Sequence, residues 1–314
     1  MNTKPLWSLL RPVLWPTAVA DAFLGTACSI LGGADMNLLE LPFAAGFSLF
    51  LYAGGMVLND ICDAESDAAE ERERPIPSGD ITKGQAVGVF IFLWVCAGFM
   101  AYQLPRESWA LAGSCAAMVV LYNLTHKRLR VLSPFLMGGA RALDVATAAV
   151  AAGLSVSGIL SNAAVLAVIG SYATYVVAVT FFSLLEDKRD AGILLFSLLS
   201  AFLALACALP LKNLTEPGQP HLWFFMVLFT ILSFVLGAIY FYFSKKHQPA
   251  LSTFVPFALA PLTLLGGTGL LFLTISEKGS PVMIPGLVLS AFYPLLAGVF
   301  SLKAAKLIRQ KKGD

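Results

Sequence analysis

Long apolar runs alternate with short polar connections along almost the whole chain. They fall at approximately 12–33, 42–61, 84–104, 108–124, 134–153, 163–185, 191–210, 222–244, 252–274 and 284–305. Most are near the roughly 20 residues that let an α-helix cross the hydrocarbon core of a bilayer. The apolar positions are continuous rather than alternating, so they read as helices and not as strands of a β-barrel. The run at 108–124 is short, and 252–274 carries Pro256 and Pro261, which kink or break it. The pattern predicts an all-α, polytopic transmembrane bundle of nine to ten spans, with residues 1–314 forming a single membrane-embedded domain.

Composition narrows this further. The chain is 58% hydrophobic and only 13% charged, about half the roughly 25% charge of a soluble domain. That excludes an ordinary soluble enzyme, a disordered chain and a nucleic-acid-binding domain. Cys28, Cys62, Cys96, Cys115 and Cys207 are scattered, without a CxxC pair, and read as small apolar residues rather than a disulfide or zinc framework. The first run follows Lys4 and Arg11. It is long for a signal peptide, contains Asp21 and precedes many further spans, so an uncleaved first helix is expected.

The positions of the charges set an orientation. Lys4 and Arg11, then Arg72, Arg74 and Lys83, then Lys127, Arg128 and Arg130 fall on one side. Lys188 and Arg189, Lys245 and Lys246, and the tail residues Lys303, Lys306, Arg309, Lys311 and Lys312 join them. The other side has Arg106, Lys212 and Lys278, and Arg141 lies inside a span. By the positive-inside rule the basic side, with both termini, is cytoplasmic. This asymmetry favours ten spans.

Two connections on that side are chemically rich. In Asn59-Asp60-Ile61-Cys62-Asp63-Ala64-Glu65-Ser66-Asp67, the residues Asp60, Asp63 and Asp67 are spaced i, i+3, i+7. On a helix they share an arc of roughly 60° over about 10 Å of axis. Such a stripe repels itself and resists desolvation unless a cation is present. Oxygen-only ligands suit Mg²⁺, which typically shares its coordination with water and phosphate. A solvated acidic loop is the plainer alternative. A second cluster, Glu186-Asp187-Lys188-Arg189-Asp190, places Asp187 and Asp190 on one helical face at the same side. Two facing carboxylate clusters fit two Mg²⁺ ions with a diphosphate between them, contacted by Lys188, Arg189, Arg72 and Arg74. Neutralising a diphosphate makes it a leaving group, and an allylic carbon then leaves as a delocalised cation sheltered by a dry bundle. Aromatic faces such as Phe181, Phe182, Tyr172, Tyr175 and Phe92 are available to such a cation, although most aromatics of a membrane protein simply pack. Three ionisable residues lie within spans: Asp21, and Arg141 with Asp144 at i, i+3. They are expected to face the bundle interior, either as an ion pair fixing helix packing or as a cavity lining.

These residues resemble the UbiA superfamily of intramembrane prenyltransferases. Asn59, Asp60, Asp63 and Asp67 match its NDxxDxxxD motif, and Arg74-Pro75-Ile76-Pro77-Ser78-Gly79 is similar to the RPxPSG stretch that follows it. Arg11-Pro12 and Tyr122-Asn123-Leu124-Thr125-His126-Lys127-Arg128 look like further family segments. In the second motif, YxxxKDxxDxxxD, Asp187 and Asp190 match, while Phe182, Glu186 and Leu194 replace the Tyr, the Lys and the last Asp. The resemblance implies Mg²⁺-dependent transfer of a prenyl group from a polyprenyl diphosphate to an aromatic or other lipophilic acceptor. It implies Asp60, Asp63, Asp67, Asp187 and Asp190 as metal ligands and catalytic residues. Asn59 is implied to bind the diphosphate with them through Mg²⁺, and Arg74, Lys127 and Lys188 are the implied phosphate contacts; Arg72, Arg141 and Asp144 complete the candidate substrate-binding set. Two other readings stay open: a cation-coupled transporter using Arg141 and Asp144, and a lipid-binding family member without transferase activity.

Overall fold

The computed structural model describes residues 4–34, 37–72 and 74–184. The four later apolar runs and the cluster Glu186, Asp187, Lys188, Arg189 and Asp190 lie outside the described residues. Within them the regular structure is entirely helical: α1 (Lys4–Leu10), α2 (Trp15–Leu31), α3 (Leu41–Ala69), α4 (Lys83–Gln103), α5 (Trp109–Thr125), α6 (Ser133–Ala151), α7 (Val156–Ser161) and α8 (Ala163–Leu184). Helices thus stand at each of the first six expected runs. Among the described residues, four helical stretches are long and apolar enough to cross a membrane: Lys4–Leu31, Leu41–Ala69, Lys83–Gln103 and Arg106–Thr125.

Local chemistry explains the boundaries. Pro16, Pro42 and Pro134 sit in the first turns of α2, α3 and α6, where their missing N–H costs nothing. A reciprocal capping box starts α4. The Thr82 hydroxyl accepts from the Gln85 N–H at 3.2 Å, and the Gln85 side chain accepts from the Thr82 N–H at 2.9 Å. The first run departs from expectation. It begins earlier, as α1, and is broken at Arg11, which adopts φ 46°, ψ 58°. The second run also continues beyond its apolar part, so that α3 carries the acidic stripe to Ala69 as unbroken helix.

Helix α6 packs against α2, α5 and α8, and α3 packs against α2 and α4. The main core joins Leu24 and Cys28 of α2, Val145 and Ala149 of α6, and Val165, Val168, Tyr172 and Val176 of α8. Small residues allow the close approach that helices use in place of a hydrophobic driving force inside a bilayer. A Cβ on Gly25 would collide with the α6 backbone at Val145 and lie 2.5 Å from the Ala148 Cβ. Helix α4 instead turns Ile91, Phe92, Val95 and Phe99 outward, which in a membrane is contact with lipid tails. Phe92 is therefore not a lining residue of the bundle interior.

Candidate active site

The acidic stripe lies at one end of the bundle, and each of its carboxylates is met by basic side chains from other segments. Asp60 is buried, with 2% of its side chain exposed. Its Oδ1 pairs with Arg11, from the break between α1 and α2, and with Arg74 Nη1 at 2.8 Å. Asp63 pairs with Lys127 Nζ at 2.6 Å and His126 Nε2 at 3.1 Å, both just beyond α5. Lys127 also reaches the Ser66 hydroxyl. Asp67 is buried and lies 3.6 Å from Arg72 and 3.8 Å from Arg74. Arg72 adds a 2.6 Å pair to Glu70. Asn59 precedes Asp60 and is half-buried.

Backbone geometry holds these basic groups in place. Arg11 lies in the left-handed region, which costs an L-residue about 1–2 kcal/mol, and its guanidinium reaches across to Asp60. Arg74 opens a tight turn in which Ser78 N–H donates to the Arg74 carbonyl at 3.0 Å and Ile81 N–H to Pro75 at 3.0 Å. Gly79 closes that turn at φ 79°, a conformation glycine adopts without penalty.

His126 belongs to this cluster although its charge pattern gave no sign of it. Its Nδ1 lies 3.1 Å from the Asn123 carbonyl and its Nε2 3.1 Å from the Asp63 carboxylate. Both partners are acceptors, so both ring nitrogens donate and the imidazolium is the form that fits. The Asp63 hydrogen bond accordingly raises the His126 pKa above its ordinary value. The ring stacks on Tyr122 with centroids 5.4 Å apart.

The side chains gathered here are carboxylates, guanidinium groups, an ammonium and an imidazole, donor types that suit hard cations and anionic oxygens. Asp60 Oδ2 is buried and takes no hydrogen bond among the described residues, leaving a hard anionic oxygen free for a divalent ion. Among the described residues no three acidic, histidine or cysteine side chains converge into a complete metal cage.

A second polar cluster lies deeper. Arg141 Nη1 pairs with Asp21 Oδ2 at 2.6 Å, and its Nη2 donates to the Thr17 carbonyl at 3.2 Å. Its guanidinium carbon stands 5.4 Å from the Tyr52 ring centroid. The Tyr172 hydroxyl donates to Asp21. Asp144 accepts from Ser48 at 2.8 Å. The i, i+3 spacing placed Arg141 with Asp144 as the candidate ion pair. The structure instead gives Arg141 its short pair on α2 and turns Asp144 to a hydroxyl on α3. Asp21, Arg141 and Asp144 are all buried, as expected for intramembrane charges. Ser48 and Asp60 are twelve residues apart on α3, so this cluster sits about 18 Å along the axis from the acidic stripe.

Comparison with known proteins fits this arrangement. The model of the UbiA prenyltransferase family matches residues 13–248. The chain belongs to that family. It is 31% identical over 137 residues to the 4-hydroxybenzoate octaprenyltransferase of Aliivibrio fischeri, covering 43% of this chain and 45% of the relative. It is 34% identical over 120 residues to the digeranylgeranylglyceryl phosphate synthase of Methanothermobacter thermautotrophicus, covering 38% and 41%. The chain thus spans less than half the length of these curated relatives. The structure of a UbiA homologue from Archaeoglobus fulgidus bound to GPP and Mg²⁺ superposes with a TM-score of 0.60. That match has 12% identity and covers 87% of this chain and 99% of the homologue. A digeranylgeranylglyceryl phosphate synthase gives 0.50 at 16% identity, over 96% of each chain. The chain therefore has the family's helical fold and is membrane-embedded.

Proposed function

We propose that this UbiA-family protein transfers a prenyl group from a polyprenyl diphosphate to an aromatic or other lipophilic acceptor within the bilayer, with Mg²⁺ as cofactor. The observation that carries the reading is the acidic stripe of α3 interleaved with basic groups from three separate segments at one end of an apolar bundle. Relatives named for octaprenyl transfer and for digeranylgeranylglyceryl phosphate synthesis, and a fold neighbour holding GPP and Mg²⁺, support it.

Asp60, Asp63 and Asp67 would hold a first Mg²⁺, and Asp187 and Asp190 would hold a second. Asn59 stands beside the first. Mg²⁺ held there would supply the positive charge that makes a diphosphate a leaving group. Arg11, Arg72, Arg74 and Lys127 already lie against the carboxylates. They turn to the diphosphate oxygens as these arrive and stabilise the charge that develops on them, joined by Lys188. The apolar helices exclude water from the allylic cation. Arg141 and Asp144, deeper in the bundle, complete the candidate substrate-binding set. The termini and both acidic clusters face the cytoplasm, and residues 1–314 act as one domain. A transporter would use charges near the bilayer midplane; the deep cluster here is internally paired through Arg141 and Asp21, whereas the diphosphate-like chemistry is at the helix ends.

The test is titration of the detergent-solubilised protein with a prenyl diphosphate and Mg²⁺. The double substitution Asp60→Asn, Asp63→Asn is expected to abolish binding. Unchanged Mg²⁺-dependent binding overturns the assignment. Incubating membranes with labelled donors of several lengths then identifies donor and acceptor from the labelled product.

A further inference from the structure

The connection between α5 and α6 carries a feature that the reaction site leaves unused. Residues Lys127-Arg128-Leu129-Arg130-Val131-Leu132 interleave basic and apolar side chains. They line a notch of about 490 Å³ together with Phe135. Arg128 and Arg130 are exposed, and among the described residues neither has an acidic partner. Their apolar neighbours are equally uncovered: Val131 is 73% exposed and Leu132 48%. In water this exposure is costly. At a membrane surface it is the expected arrangement, with apolar side chains among acyl chains and guanidinium groups at headgroup level.

The notch is continuous with the candidate active site. Lys127 lines it and also pairs with Asp63 at 2.6 Å. A ligand held by Arg128 and Arg130 therefore lies beside a side chain already in contact with the acidic stripe. The ligand that matches both halves of the notch has an anionic head and an apolar tail, and continuity with the stripe selects a diphosphate head.

We propose that this notch is the capture port for the membrane-borne prenyl donor. Arg128 and Arg130 seize the diphosphate head from the leaflet, Leu129, Val131 and Leu132 take the first part of the tail, and Lys127 passes the head to the α3 stripe. The proposal rests on the prenyl-diphosphate reading of the site. It concerns delivery and not the transfer step, so its signature is kinetic. A port that the bound head has left lowers the barrier for entry and exit alike, so it changes the rates and not the equilibrium affinity.

The experiment uses the full chain in phosphatidylcholine nanodiscs and a fluorescent long-chain prenyl diphosphate. Association and dissociation are followed by energy transfer from tryptophan. The variant Arg128→Gln, Arg130→Gln is expected to associate and to dissociate each about tenfold more slowly at low salt, with equilibrium affinity for the long donor unchanged, because the head has left both arginines once it reaches the stripe. Equilibrium binding of dimethylallyl diphosphate added from solution stays as in the parent protein, which also shows that the variant is folded. Arg128→Lys, Arg130→Lys retains most of the association rate. An unchanged association rate overturns the port while leaving the prenyl-diphosphate reading intact. Equal loss for the long and the short donor overturns it too, because the loop then acts on the site itself. Competition by phosphatidylglycerol in the discs as effective as by inorganic diphosphate overturns the choice of ligand, leaving a general anionic-lipid surface. Failure of the parent protein to bind any prenyl diphosphate overturns both readings. Slowed capture by the variant with no product from any acceptor upholds the port and overturns the transferase.

Discussion

At the scale of single residues, the site is built from charges that depend on partners far away in sequence. His126 shows the consequence most directly. Its folded pKa is raised by the bond to Asp63, so the pair contributes stability that is fully present below the unfolded value of about 6.5 and is lost as pH rises through the folded value. In chelator-containing detergent, the melting temperature of the parent protein should therefore fall between about pH 6 and pH 8 more than that of His126→Gln. Parallel curves for the two would remove the imidazolium from the site. The deep cluster gives a second case. Asp21→Asn leaves the buried Arg141 guanidinium without its counter-ion and is expected to destabilise by about 3–5 kcal/mol, measured by denaturant unfolding in micelles. Adding Arg141→Gln should recover part of that loss, because the two residues are coupled.

At the scale of helices, close approach is the organising device. Gly25 of α2 has no room for a Cβ against Val145, Ala148 and Ala149 of α6. Gly25→Ala is expected to cost about 1–3 kcal/mol, as overpacking does, and to lower the melting temperature. A melting curve unchanged from the parent would mean that α2 and α6 can separate freely. The same α2–α6 contact brings Asp21 to Arg141, so loosening it should also weaken the deep cluster. How much was legible in sequence divides along similar lines. The stripe of Asp60, Asp63 and Asp67 was readable because a spacing of three and four residues is a property of one helix. Arg11, 49 residues from Asp60, stood out as an orienting charge and as part of a family-like Arg-Pro pair, not as a partner of the stripe. Its role depends on a helix break that apolar periodicity does not register. For Arg141, spacing along α6 pointed to Asp144. Packing decided otherwise, because α2 presents a carboxylate to the guanidinium while α3 presents a hydroxyl to Asp144.

At the scale of the whole molecule, the polar groups are sorted by depth. The ion pairs of the acidic stripe gather at one end, the Asp21–Arg141 cluster lies among mid-helix residues, and the outward face of α4 is apolar. If the basic connections are cytoplasmic, a fluorescent protein fused after Asp314 should fluoresce, and alkaline phosphatase fused at the same point should be inactive. With an even number of spans, the opposite result would reverse the bundle. A reversed bundle would place the acidic stripe and the Arg128–Arg130 notch on the outer side together, because Lys127 ties them to one end.

By itself the sequence determined that this chain is a helical membrane bundle, where the helices of its first six apolar runs stand, and that three carboxylates form a stripe. Each follows from hydrophobicity and periodicity, which act over a few turns of chain. Only the tertiary structure decided which cation meets which carboxylate, that His126 joins the site, and that Arg141 belongs to Asp21. Those outcomes depend on which helix faces meet and how closely they approach, and a buried charge takes its partner from whatever packing brings within reach.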